Sequence, residues 1–103
     1  MDSRIMAMLR EAKDAYAHEG LVILGVFGSR ARGDNDPDSD LDVLYRLDDR
    51  FYQRYPGWEA VGRLNEIRLE LESQLGLTID MANADALHSV SRKHILPDTV
   101  YVP

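Results

Sequence analysis

The chain has 103 residues, 45% of them hydrophobic, and carries a formal charge of −6 from 18 acidic against 12 basic side chains. Its length suits a single domain, residues 1–103, and its acidic balance disfavours a general grip on nucleic-acid backbone, which needs a basic surface. With no cysteine, thiolate zinc sites, thiol catalysis and a disulfide framework are all excluded.

Ser3 is placed to cap a helix in which Ile5, Met8, Leu9, Ala12 and Tyr16 recur at three- and four-residue spacing, and Gly20 closes it. Leu21 to Phe27 is an unbroken apolar run rich in β-branched residues, which predicts a strand covered on both faces. This longest apolar run falls well short of the roughly 20 residues a membrane helix needs. The amino terminus also lacks the form of a signal peptide, so the expectation is a soluble, cytoplasmic protein with no membrane contact. Gly28-Ser29 ends the strand, residues 29 to 33 have room for one helical turn, and Gly33 to Ser39 is dense in turn formers.

A second strand is expected at Leu41 to Leu47, where Leu41, Val43 and Tyr45 alternate with Asp42, Leu44 and Arg46. Asp48 to Gly57 reads as a loop. The longest helix starts at Trp58, its core stripe formed by Val61, Leu64, Ile67, Leu71 and Leu75, and Gly76 ends it; Trp58 is the one member that could serve an interface instead. Leu77 to Ala82 predicts a third strand. The remaining residues are undecided, apart from a short edge strand at Thr99 to Val102 between two prolines. The order αβαβαβ points to an α/β (α+β) structure, a small sheet with helices packed on it.

Seven of the acids lie between Asp34 and Asp49, and they do not all have the same use. Glycine and serine between a buried strand and a short helix present free N–H groups and a hydroxyl to phosphate oxygens, so Gly28 and Ser29 are candidate nucleotide contacts. Arg30 and Arg32 add positive charge, free to meet phosphate or to pair with the acidic loop. Asp40 and Asp42, two apart on a strand, point to one face. Such like charges call for a compensating cation, and a hard divalent ion, Mg²⁺ where phosphates complete the shell, is the natural occupant. Asp80, mid-strand between Ile79 and Met81, is the candidate third carboxylate of a two-metal site, with Asp85 as fallback. A calcium-binding loop fails on pattern, because no register starting at Asp34, Asp36 or Asp38 puts glycine sixth and glutamate twelfth. Asp34, Asp36 and Asp38 therefore read as turn chemistry. His18, His88 and His94 show no metal-ligand spacing and are expected at the surface.

Gly-Ser, ten residues, then Asp-x-Asp, with Arg-x-Arg-Gly between, resembles the polymerase β-like nucleotidyltransferase superfamily and, within it, the minimal nucleotidyltransferases; the likeness spans residues 21 to 82. The resemblance implies that fold, with a small mixed sheet. It implies that Asp40 and Asp42 bind both Mg²⁺ ions, that Asp80 serves the ion that activates an acceptor hydroxyl, and that Gly28 and Ser29 hold the β- and γ-phosphates of ATP. It further implies an antitoxin that transfers AMP to a tyrosine of a HEPN-domain ribonuclease toxin, within a hetero-oligomer. Two other readings stand beside this: neutralisation by binding alone, and nucleotidyl transfer to a small molecule or an RNA end. A chain this short has no room for an added substrate domain, so the acceptor is expected to bring its own recognition surface.

Overall fold

The computed structural model describes residues 1–103. Helix α1 (Ser3–Ala17) leads into strand β1 (Leu21–Phe27), the single turn α2 (Ser29–Arg32) and strand β2 (Leu41–Leu47). Helices α3 (Asp49–Arg54) and α4 (Trp58–Leu75) follow, then strand β3 (Ile79–Asn83), a 3-10 turn (Ala84–Ala86), helix α5 (Ser89–Asp98) and strand β4 (Val100–Tyr101). The strands lie in the order β3-β2-β1-β4. β1 runs antiparallel to both β2 and β4, whereas β2 and β3 are parallel. A parallel pair needs a crossover, and α3 with α4 supplies it. The result is the expected mixed sheet with helices packed on it.

The core gathers Leu9, Ala12 and Tyr16 of α1, Ile67 and Leu71 of α4, Phe51 of α3, and inward residues of the strands such as Leu21, Ile23, Leu41 and Val43. A half-buried polar network ties three helical segments together at its edge. Arg63 of α4 donates Nε and Nη2 to the two carboxylate oxygens of Glu19, each at 2.7 Å, while the Tyr55 hydroxyl donates to the same carboxylate. Tyr16 donates to Glu70, and burial together with that carboxylate raises its pKa.

Several expectations change. Asp2, not Ser3, caps α1, accepting from the N–H groups of Arg4 and Ile5. β1 is fully buried on one side and half-buried on the other, and a register shift at Gly25 bends it. A Cβ at Gly25 would strike the Val100 carbonyl, so the missing side chain is what lets β4 close on β1; Lys13 Nζ then holds the Val102 carbonyl at 2.9 Å. The predicted loop 48–57 contains α3, capped by Asp48 and anchored by fully buried Phe51. Six residues offer one inward position, too few to show a period. On α4 the inward stripe is Ala60, Ile67 and Leu71, with Leu64 and Leu75 half-buried, whereas Val61 and Trp58 point outward. β3 starts two residues later than predicted. No helix is long and apolar enough to cross a membrane.

Candidate active site

Asp42 sits in the middle of β2, with Phe27 of β1 and Asp80 of β3 as its register partners. Residues paired across strands share a face, so Asp42 and Asp80 project together. Gly28, the residue after Phe27, comes up against them: a Cβ there would overlap the Asp42 carboxylate. Gly28 also holds φ +78°, a conformation that costs glycine little and other residues more. It opens the turn α2, which begins at Ser29 and has no side-chain cap. First-turn N–H groups without a cap remain available to an outside acceptor such as phosphate.

The acidic segment between these elements is fixed by its own polar groups. Asp36 accepts from the Asp38 N–H at 2.9 Å and donates its N–H to the Ser39 hydroxyl at 3.0 Å. Arg30 donates Nε to the Ser39 carbonyl at 2.9 Å and Nη2 to the Pro37 carbonyl at 3.3 Å, clamping the turn to α2. Arg32 meets Asp34 at 3.1 Å and Asp98 at 3.8 Å. Both arginines therefore engage the chain itself, with Arg32 the nearer to Asp42 in electrostatic effect.

Thr78 is the residue that sequence reasoning missed. Its hydroxyl donates to the Asp40 carboxylate, and its carbonyl accepts the Leu41 N–H at 2.9 Å. Register gives the signal: if Asp42 faces Asp80, the position two residues earlier on each chain brings Asp40 to Thr78. Asp80 itself is exposed on the edge strand β3. Asp85 pairs with Arg46 at 3.3 Å and lies outside the group. The three histidines are exposed, as expected.

Electrostatics marks Asp42 as the strained member. Partial burial holds its pKa above the ordinary carboxylate range, Asp80 and then Asp40 push it further, and only Arg32 pulls the other way. The three carboxylates do not yet converge on one ion-sized point, since Asp40 is turned toward Thr78. Three mutually repelling oxygen donors, next to a glycine turn with free N–H groups, are nevertheless chemically suited to a hard divalent ion bridging to phosphate.

The chain is similar to several known proteins. The nucleotidyltransferase domain family model matches residues 6–102. Protein adenylyltransferase MntA of Thermococcus cleftensis is 33% identical over 99% of this chain and 92% of its own length. A candidate protein adenylyltransferase of Methanocaldococcus jannaschii is 31% identical, over 97% of this chain and 96% of its own. A solved candidate minimal nucleotidyltransferase superposes with a TM-score of 0.71 at 30% identity, covering 97% of this chain and 95% of that one. A chain from the crystal structure of a toxin–antitoxin with AMP-PNP has a TM-score of 0.67, over all of this chain and 73% of its own; at 16% identity it shows the shared fold.

Proposed function

Because the chain belongs to the nucleotidyltransferase domain family, we propose that it forms a single minimal transferase domain that moves AMP from ATP to a tyrosine hydroxyl of a partner protein. The partner in this reading is a HEPN-domain toxin in the cytoplasm, and the protein is its antitoxin. The observation that carries the reading is the contact of Gly28 with Asp42, itself in register with Asp80. That contact supports the reading, because it brings the uncapped Gly28–Ser29 turn beside Asp42. The adenylyltransferase relatives support a protein acceptor, and the toxin–antitoxin structure with AMP-PNP supports the setting.

In this mechanism the N–H groups of the Gly28–Ser29 turn and the Ser29 hydroxyl hold the β- and γ-phosphates. Asp40, oriented by Thr78, and Asp42 present oxygens toward the α- and β-phosphates, and Asp80 orients the acceptor hydroxyl and receives its proton. Two Mg²⁺ ions, held by Asp40, Asp42 and Asp80, would supply the charge neutralisation that lets two anionic reactants meet. The acceptor oxygen forms a bond to the α-phosphorus, and the bond to the bridging oxygen breaks with its electron pair on pyrophosphate. Positioning and charge stabilisation supply most of the catalysis in such transfers.

The test is incubation of the chain and its toxin with ATP labelled at the α-phosphate and Mg²⁺. Label should pass to the toxin, stop on chelation with EDTA, and fail with Asp40→Asn/Asp42→Asn. Neutralisation by the double variant with no transfer would favour occlusion, and label found only on small hydroxyl compounds or RNA ends would overturn the protein acceptor.

A further inference from the structure

Six of the seven glycines have a use inside the fold: five hold positive φ, and the missing side chain of Gly25 admits β4. Gly62 has neither reason. It lies exposed within α4, where a Cβ would meet nothing within 4 Å. Glycine inside a helix costs stability that alanine would not, so nothing within this chain favours it there. Its neighbours on the same face are as unusual. Trp58, Gly62, Asn65 and Leu69 follow one another in steps of four, three and four, the spacing at which one helix seats another, and Val61 flanks them. Trp58 is 87% exposed, Val61 56% and Leu69 49%, on the side of α4 turned away from buried Ala60, Ile67 and Leu71. The solvated face of a helix is normally polar.

We propose that this outer seam of α4 is the docking site for one amphipathic helix of a partner protein, its apolar stripe edged by lysine or arginine. Gly62 is the point of close approach, where the partner lies against the α4 backbone, and Trp58 and Leu69 close on it before and after.

Charge decides between the possible occupants. Glu59 and Glu66 stand exposed along one edge of the seam. On the other edge Arg68 is turned back on its own chain, donating to Asn65 at 2.8 Å and to Glu72 at 3.1 Å. The surface left for a partner is thus negative, and a row of basic side chains complements it. A second copy does not. Two α4 helices packed antiparallel about the midpoint of the seam would bring Glu59 and Glu66 of both copies onto one edge, between molecules that each carry a net charge of −6. The seam also lies clear of the candidate nucleotide site, because α4 packs on the side of the sheet that buries Val43 and Tyr45, whereas Asp42 and Asp80 project from the other. The inference therefore stands independently of the transfer reading.

The experiment titrates the isotope-labelled full chain with a helical peptide of three heptads, leucine at a and d and lysine at e and g, and with its twin carrying glutamate in place of each lysine, followed by amide NMR shifts. The lysine peptide should shift residues 58, 61, 62, 65 and 69 and bind about tenfold more tightly than its twin. Gly62→Gln should raise the unfolding temperature, because it replaces a glycine inside a helix, and yet weaken the lysine peptide by about tenfold or more. Equal binding of both peptides, no binding, or binding unaffected by Gly62→Gln overturns the docking site, and so do shifts centred on residues 28, 42 and 80. In sedimentation of the chain alone, a dimer that Gly62→Gln dissociates would give the seam to a second copy and overturn the partner helix; no such dimer is expected.

Discussion

Asp42 bears opposite demands. Partial burial and the charges of Asp80 and Asp40 raise its pKa, so the folded chain holds a proton there more tightly than the unfolded chain does. Stability from this group is therefore greatest at low pH and falls as pH rises through the carboxylate range toward the raised value. Asp42→Asn removes the repulsion, so its unfolding temperature at pH 7 should rise while transfer falls by about a hundredfold or more; calorimetry beside a labelled-ATP assay checks both. Thr78→Val should lower kcat by about tenfold with little change in KM for ATP, and Thr78→Ser should restore it, because the hydroxyl orients Asp40 without touching substrate. The expected face of Asp42 was legible in the sequence because alternation along a strand fixes it, whereas Asp40 falls just before β2 and turns toward Thr78. Thr78 was not legible, because its role depends on the pairing of two strands 38 positions apart along the chain.

The glycine turn and the acidic turn work as one unit, joined by Arg30. Arg30→Ala should free residues 34 to 39, raising their amide exchange, and lower kcat while leaving KM for ATP nearly unchanged. A large rise in KM for ATP would instead make Arg30 a phosphate ligand. The strands and the two long helices were readable from apolar runs and periodicity. α3 was not, since a six-residue helix with one buried position, Phe51, gives no repeat; Phe51→Ala should cost about 3–5 kcal/mol in denaturant unfolding. The outward turn of Val61 escaped for a related reason, because a 3.6-residue period says which residues share a face but not how wide the buried face is.

Across the whole molecule, the join of α1, α3 and α4 depends on one half-buried carboxylate. The Arg63 guanidinium, aided by Tyr55, lowers the Glu19 pKa from 4.5 to about 2 despite the opposing effect of burial. The unfolded chain takes up this proton first, so the stabilisation is complete above about pH 4.5 and is lost as pH falls toward 2. At about 1.4 kcal/mol per pH unit it amounts to roughly 3 kcal/mol. Glu19→Gln should lower the unfolding temperature at pH 7 by on the order of 10 °C and flatten its dependence on pH between 2 and 4.5. The net charge of −6 gave no hint of this network, since composition does not record which charges face each other.

Trp58 is the chain's single tryptophan and stands 87% exposed at the start of α4. Its fluorescence is therefore that of an indole already in water. Emission should scarcely move when the core melts, so unfolding has to be followed by circular dichroism or by the tyrosines. A blue shift, together with loss of quenching by iodide, would report the arrival of a partner on the α4 face. This exposed indole is in this way a built-in optical probe of docking.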